Sequence, residues 1–239
     1  MSMDPILTVA QIQRLLNFRG YGNPSGRFWF VGMEEGGSSD VDSLRIRADN
    51  FSPLEDLAES HENFPSHDMS RLSTSTWGLM SSIVGCVTGE SNWWSSDFRR
   101  RYQMSRLGRL DGETYLTEVM PLPKRSLNDW PYKNLFKSPD AYLSERFPYQ
   151  ASLLRNEYEN ADPKPQFVIG YGKSYWAHHH KIFDFVRFEP ALSGAIEWGR
   201  NEDTVFLLTK FLDYGRMGFT EAFVSELCAF TLEKSSPNP

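Results

Sequence analysis

The chain is poor in cysteine and has no long hydrophobic run. Its two cysteines, Cys86 and Cys228, stand far apart and outside any spacing that is typical of a metal site or an iron–sulfur cluster. We expect both to be buried, reduced thiols, which favours a cytoplasmic protein. No apolar run approaches the ~18 residues of a membrane span, and residues 1–5 lack the basic and apolar build of a signal peptide. We therefore expect no membrane contact and no export.

The chain also lacks an excess of basic residues, although its cations are unevenly spread. A formal net charge of −6 argues against broad attraction to polyanions. Lys124 and Arg125 follow a concentration of arginines, which are Arg99, Arg100, Arg101, Arg106 and Arg109. Two interpretations are open for this pattern: a solvated helical face, or a local patch that binds phosphate groups.

No linker-like stretch, internal repeat or low-complexity segment divides the chain. With 40% hydrophobic and 14% aromatic residues, it has enough material for one sizeable core. Apolar runs alternate with segments of helical periodicity, which is the pattern of a parallel sheet covered by helices on both faces. The sequence predicts one α/β domain over residues 1–239, a three-layer α/β/α fold with a central, mostly parallel sheet of four to five strands. Residues 1–7 and 234–239 are expected to be flexible.

Periodicity, caps and turn residues set the expected element boundaries. Thr8 is the expected N-cap of the first helix, and Pro121 and Pro123 are expected to end the second strand. The predicted strands are 27–33, 114–120, 166–170, 185–188 and 204–209, and 195–198 is a further candidate for an extended segment. The predicted helices are one that begins after Thr8, then 41–48, 53–60, 74–87, one that begins at 96, 139–149, 151–158, 173–183 and 220–232.

Acidic side chains come where two of the predicted strands end. Glu34 and Glu35 follow the apolar first strand and precede glycines and serines, and Glu118 stands at the end of the second strand. In an open α/β sheet, ligands bind beyond the carboxyl ends of the strands. We therefore expect these acids at a ligand-binding edge. A solvated turn for the first two, and an ion pair of Glu118 with Lys124 or Arg125, are the open structural alternatives.

Four short segments together resemble the uracil-DNA glycosylase superfamily. Segment 32–37, Gly-Met-Glu-Glu-Gly-Gly, looks like that family's Gly-x-Asp or Gly-x-Asn motif after strand one, with Glu34 in the acid position. Segment 117–119, Thr-Glu-Val, looks like its Thr-Asn-Val segment, with Glu118 in place of Asn. Segment 167–172 looks like its apolar strand followed by glycine, and segment 209–218 takes the place of its last loop.

The resemblance implies a four-stranded parallel sheet and a DNA glycosylase, which hydrolyses the bond between a flipped-out base and its sugar. The family's acid after strand one positions or activates water, so the resemblance gives Glu34, with Glu35 beside it, the catalytic role. Its second segment reads the base, which assigns that role to Glu118. No metal or other cofactor is implied, the partner is single- or double-stranded DNA, and we expect a monomer that acts in DNA repair or phage defence.

The last family motif differs in this chain, and other binding residues follow from the resemblance. Lys210 and Phe211 stand where the family has a His-Pro-Ser type motif, so stabilisation of the departing base needs another donor. Met217 is the expected wedge in the duplex. Stacking on the base is expected from Phe51, Phe64 or Trp77. The cations expected to hold phosphates are Arg99, Arg100, Lys124, Arg125, Lys210 and Arg216.

Glu118 changes the base that we expect the site to accept. An asparagine both donates and accepts hydrogen bonds, whereas an ionised glutamate only accepts and is repelled by uracil O4. Cytosine offers an N4 amino donor at that edge, and a carboxylate accepts from it. The sequence therefore favours cytosine or a modified cytosine over uracil, including a bulky modified cytosine of phage DNA.

Two functions of other classes are open. One is a catalytically silent DNA- or nucleotide-binding protein on the same scaffold, which the divergent last motif favours. The other is a hydrolase in which Glu34, Glu35 and Asp213 hold a divalent cation such as Mg²⁺. The run His178-His179-His180 is not expected to bind a metal, because consecutive helical residues point about 100° apart. The pair Trp93 and Trp94 is expected to pack in the core or an interface rather than against bases.

Overall fold

The computed structural model of the chain describes residues 7–36, 41–62, 75–124, 130–213 and 217–236, with the backbone alone for residues 35 and 36. The strands in this part of the chain are β1 (Gly20–Gly22), β2 (Phe28–Gly36), β3 (Leu54–Glu55), β4 (Thr114–Lys124), β5 (Phe167–Tyr171), β6 (Glu189–Ala191), β7 (Ile196–Asn201) and β8 (Thr204–Thr209). The α-helices are α1 (Val9–Leu16), α2 (Val41–Asn50), α3 (Leu57–Glu62), α4 (Ser75–Val87), α5 (Ser96–Ser105), α6 (Pro139–Asn160), α7 (Trp176–Ile182) and α8 (Glu221–Ser235). Short 3-10 helices occupy Lys173–Tyr175 and Leu192–Gly194.

The strands form one sheet in the order β3-β1-β4-β2-β5-β8-β7-β6. The four central strands, β4, β2, β5 and β8, are parallel to one another, and antiparallel pairing occurs where β1 joins β4 and among β6, β7 and β8. The predicted α/β class with a mostly parallel sheet is confirmed. The predicted number of four to five strands is too low, because short edge strands extend the sheet to eight.

The central strands are buried on both faces, which explains their nearly continuous apolar sequence. On β2, Trp29 and Val31 face one core, which includes Ile12 of α1 and Leu154 of α6. Alternate residues such as Phe30 face a second core. The helices of the first face are α1, α2, α6 and α7, and those of the second face are α3, α4, α5 and α8. The fold is therefore a three-layer α/β/α arrangement.

Local capping chemistry sets several helix starts as the sequence predicts. The Thr8 side chain accepts from the Gln11 backbone amide, and the Gln11 side chain accepts from the Thr8 amide, which forms a capping box. Thr220 caps α8 in the same way through the Phe223 amide. The predicted helices at 41–48, 74–87 and from 96 onward are also confirmed within one or two residues of their bounds.

The prediction that Pro121 and Pro123 end the second strand is wrong, because β4 continues to Lys124. β2 pairs with β4 at Glu34 and again at Gly36, and the register shifts between these two points. β1 pairs only with earlier residues of β4. The prolines therefore stand at an irregular part of the ladder, where the missing amide donors cost little.

Three other boundaries differ from the expected ones. Residues 185–188 form the end of a turn and an irregular segment rather than a strand, and the partly exposed Phe185 ring stacks on Tyr158 at 5.5 Å. The strand of this region is β6, directly after this segment. The two predicted helices at 139–149 and 151–158 are one helix, α6, that includes Pro148. The start of the predicted helix 53–60 is instead β3, which pairs with β1.

Of the two ends that are expected to be flexible, the structure describes residue 7 and residues 234–236, and their flexibility stays a prediction. Leu7 is buried in the first core, and α8 continues through Lys234 and Ser235. Cys228 is buried as expected, whereas Cys86 is partly exposed, and both are free thiols. Among the helices described, none has both the length and the apolar composition to cross a membrane.

Candidate functional site

The four parallel central strands end at one edge of the sheet. Their pairing places four residues in one row across that edge, which we call the edge row: Glu118 on β4, Gly32 on β2, Tyr171 on β5 and Thr209 on β8. In-register residues of parallel strands point to the same face. The edge row therefore faces the second core, on the side covered by α3, α4, α5 and α8.

Within the edge row, the side chain of Glu118 extends from β4 over Gly32 of β2. A Cβ atom at Gly32 would lie 1.8 Å from Oε2 of Glu118 and 2.3 Å from its Cδ, so the carboxylate occupies the space that a side chain at position 32 would need. Oε1 of Glu118 accepts a hydrogen bond from the Tyr171 hydroxyl on β5. The glycine thus permits a contact between two strands that are not neighbours in the sheet.

Glu34 lies between a lysine and a tyrosine. Its Oε1 is 2.6 Å from Nζ of Lys124, and its Oε2 accepts a hydrogen bond from the Tyr175 hydroxyl at 3.1 Å. Burial, followed by the negative charge of Glu34, raises the pKa of Tyr175 to about 12. The phenol therefore keeps its proton over the working pH range and acts as a donor. Glu34 is held in place by one cation and one neutral donor.

Glu34 and Glu118 lie on neighbouring strands and on the same stretch of the edge. Glu118 pairs with Gly32, and Glu34 is two residues further along β2. From the spacing of strands and the rise per residue, their Cα atoms are about 8 Å apart. Each acid receives a hydrogen bond from a tyrosine of segment 171–175. The structure therefore places both acids towards the same edge of the sheet, Glu118 beside Tyr171 of the second core and Glu34 beside Tyr175, which packs against the first core.

Four of the sequence-predicted site residues fall outside the described part of the structure. The backbone of Glu35 belongs to β2, but its side chain is outside the description. Phe64, Arg125 and Arg216 lie in segments that are not described. Their assigned roles stay predictions.

Trp77 and Phe51 belong to a group of aromatic rings on the second face, beside β1. Trp77, in the first turn of α4, contacts His61 with ring centroids 5.2 Å apart. His61 in turn lies 5.6 Å from Tyr21, and Tyr21 lies 6.4 Å from Phe51. Tyr21 pairs with Leu116, two residues before Glu118 on β4. Both predicted stacking residues are thus on the same face as the edge row, as parts of a packed ring cluster.

Lys124 does not occupy the position of a phosphate-binding residue. Its side chain is only 7% exposed, and its ammonium group contacts Glu34. The role that the sequence suggests for it does not fit this burial, because a phosphate contact needs an accessible cation. Lys124 instead neutralises the candidate catalytic acid.

The arginines of α5 lie away from the acids. Phe98, next to Arg99, packs against Gly85 in the last turn of α4. Trp77 is in the first turn of the same helix, about 12 Å away along its axis. Arg99 lies over the Trp94 ring at 5.2 Å, and Arg100 is exposed. If these two arginines bind phosphates, they do so at a distance from the edge row.

Residues after β8 are placed where a DNA contact is possible. Nζ of Lys210 lies over the rings of Phe219 and Phe223, at 5.5 and 5.1 Å from their centroids. Met217, the predicted wedge, is 40% exposed. Both residues are accessible, and their DNA contacts stay predictions.

Sequence reasoning missed the two tyrosines that bind the acids, and it gave Phe211 no role beyond replacing a family motif. Tyr171 is the last residue of β5, and Phe211 comes two residues after the end of β8. The rule that drew attention to Glu34, a polar or aromatic side chain at a strand end, applies equally to these positions. Tyr175 lies in the short 3-10 helix after β5, and no spacing in the sequence identifies it.

The three consecutive histidines point in different directions, as predicted. His178 contacts the Phe147 ring at 4.9 Å, and Nε2 of His180 lies 2.6 Å from Glu197. His179 is fully buried beneath Gly170 of β5, and burial lowers its pKa to about 4. These side chains do not converge on one point.

Among the described residues, no group of three or more His, Cys, Asp or Glu side chains is arranged to hold a metal ion. Neither a scan against protein-family models nor a search of curated proteins finds a match for this chain. The interpretation of the site therefore depends on its own geometry and chemistry.

Proposed function

We propose that the chain is a DNA glycosylase that hydrolyses the N-glycosidic bond of a flipped-out cytosine or modified cytosine. The observation that supports this most is the pairing of two carboxylates with two tyrosines at the ends of neighbouring parallel strands. One acid is available for the sugar and the other for the base. Ligands of open α/β sheets bind at this edge.

Glu34 is suited to the chemistry at the sugar. Hydrolysis breaks the bond between C1′ and the base nitrogen, and the electron pair of that bond leaves with the base. Positive charge then develops on the sugar, where a nearby carboxylate stabilises it. Water attacks C1′, Glu34 accepts one proton from that water, the departing base takes one from the solvent, and Glu34 then returns its proton to the solvent. Lys124 and Tyr175 fix the orientation of the carboxylate.

Glu118 is suited to reading the base. Because its Oε1 accepts from the Tyr171 hydroxyl, the carboxylate is held in one orientation over Gly32. A carboxylate in this position accepts from the N4 amino group of cytosine and repels O4 of uracil. The base must leave the duplex to reach it, at the cost of unstacking.

A catalytically silent DNA-binding protein is the second candidate, and the contacts of Glu34 favour it. Both carboxylate oxygens are engaged, one by an ammonium group at 2.6 Å. With both oxygens engaged, the carboxylate has to give up a contact before it can accept from water, so a site that binds a base without cleaving it fits these contacts.

The test is an assay for abasic sites in single- and double-stranded oligonucleotides that contain cytosine, 5-methylcytosine, 5-hydroxymethylcytosine, glucosylated 5-hydroxymethylcytosine or uracil. Each reaction is run with and without a chelator, and binding is measured in parallel. Abasic product that persists with chelator and is greater for cytosine-type bases than for uracil supports the proposal.

The other outcomes separate the alternatives. Binding without abasic product identifies a silent DNA-binding protein. Cleavage that the chelator abolishes points to a metal-dependent hydrolase. Preference for uracil contradicts the role of Glu118 while leaving a glycosylase in place.

A further inference from the structure

Phe211 is an exposed aromatic side chain on a rigid support. Its ring is 44% exposed, although Leu212, the next residue, is fully buried. The backbone is fixed on both sides: Thr209 O accepts from the Trp176 indole at 2.9 Å, and Leu212 O accepts from the Thr76 hydroxyl at 3.1 Å. An exposed ring on an anchored backbone loses little conformational freedom when a ligand binds it.

The ring of Phe211 lies next to the base-reading acid. Its centroid is 5.9 Å from that of Tyr171, with the rings inclined at 65°. The Tyr171 hydroxyl donates to Glu118. Phe211 lies two residues beyond Thr209, the last residue of β8, and its ring contact with Tyr171 places it next to that member of the edge row.

We propose that Phe211 is the stacking platform for the base that Glu118 reads, and that Tyr171 is a positioning residue between them. The proposal rests on the glycosylase or DNA-binding function proposed above. Tyr171 contacts both the Phe211 ring and the Glu118 carboxylate, so one side chain connects the proposed stacking surface to the acid that would accept from the amino group of the base. Stacking is tolerant of base identity, so Phe211 contributes affinity and Glu118 contributes selectivity.

Phe211 takes the stacking role that the sequence suggested for Phe51 and Trp77, the two candidates that lie in the described part of the structure. Phe51 packs against Phe18 at 5.8 Å and belongs to the ring cluster beside β1. Trp77 packs edge-on against His61 in the same cluster. A base stacked there would have to displace packed rings, whereas Phe211 presents its ring to solvent.

The test uses the full chain labelled with 4-fluorophenylalanine and observed by ¹⁹F NMR. The resonances of Phe211 and of Phe185, an exposed phenylalanine elsewhere, are assigned through Phe211→Tyr and Phe185→Tyr. A cytosine-containing single-stranded oligonucleotide is titrated in while fluorescence anisotropy records binding. We expect the Phe211 resonance to shift and the Phe185 resonance to stay. Phe211→Ala should weaken binding about tenfold, and Phe211→Tyr should restore it.

The ¹⁹F shift and the binding measurement together distinguish failure of the Phe211 proposal from failure of the proposed function. Oligonucleotide binding with an unshifted Phe211 resonance overturns the role of Phe211 and leaves the proposed function standing. Absence of binding for every oligonucleotide in the panel overturns both. The resonance of the unsubstituted protein gives an answer that does not depend on whether the alanine variant folds.

Discussion

The hydroxyl of Tyr171 reaches Glu118 across an intervening strand, at the position where that strand has a glycine. This contact links β4 and β5 above Gly32 of β2, and it holds in one orientation the carboxylate that we propose reads the base. A second tyrosine, Tyr175, binds the candidate catalytic acid Glu34 at 3.1 Å. Tyr171 at the end of β5 and Tyr175 in the 3-10 helix that follows therefore each bind one of the two acids.

Gly32→Ala should disrupt the carboxylate that lies over position 32. The new Cβ would stand 1.8 Å from Oε2 of Glu118, so the side chain must swing away and lose its bond to Tyr171. We expect a loss of about 1–2 kcal/mol in the free energy of unfolding, measured in urea. In the Glu118→Ala background the same substitution should cost less, with a coupling of about 1 kcal/mol or more. Additive effects would contradict this geometry.

Glu118→Gln should shift the base preference. The variant keeps the length of the side chain and an oxygen that can accept from Tyr171, but it adds an amide donor that suits O4 of uracil. The ratio of uracil to cytosine affinity, or of excision rates, should rise at least tenfold. Glu226→Gln, on the exposed surface of α8, is the matched control and should change nothing. An unchanged ratio in Glu118→Gln would refute base reading by this residue.

Lys124→Met should leave the salt dependence of DNA binding unchanged. Each phosphate contact contributes about 0.9 to the slope of log K against log salt, and Lys124 faces Glu34 rather than the surface. The variant should instead lose about 2 kcal/mol of stability, since it leaves the carboxylate without its cation. Lys124→Arg is the charge-conserving control. A slope reduced by about 0.9 in the methionine variant would show that Lys124 binds phosphate after all.

His179 should make the fold less stable in acid. Burial lowers its pKa to about 4 from an ordinary value of 6.5, so the unfolded chain binds the proton more tightly than the folded protein does. Stability should therefore fall as the pH drops from about 6.5 to 4, by up to about 3 kcal/mol, and His179 should cost nothing above that window. In His179→Leu this part of the loss should disappear, whereas His180→Gln should retain it. Urea unfolding at several pH values measures the difference.

The helices and strands that were predicted correctly are those that neighbouring residues determine, through apolar runs and helix caps. The apolar run of β2 and the Thr8 cap are read directly from neighbouring residues. The strand β1, Gly-Tyr-Gly, was not predictable, because glycine is unfavourable in strands and this one exists through its pairing with β4 and β3. The continuation of β4 through its prolines likewise depends on a register shift with β2.

Local sequence signals also identified part of the site, namely its two acids. Glu34 and Glu118 were recognisable because each is an acid in or directly after an apolar run, although β4 continues past Glu118 to Lys124. The bond from Tyr171 to Glu118 was not, since it requires the order of three strands and the absence of a side chain at Gly32. Lys124 is buried because β4 continues to that residue, whereas the strand predicted from the sequence ends at residue 120.

The most direct test of the account is single-turnover excision by the unsubstituted protein and by Glu34→Gln, on the cytosine-type oligonucleotide that binds tightest. We expect abasic product from the unsubstituted protein and an excision rate at least 100-fold lower for Glu34→Gln. The DNA affinity of Glu34→Gln should stay within about threefold of that of the unsubstituted protein. Equal excision rates for the two proteins, or abasic product from neither, would contradict the account.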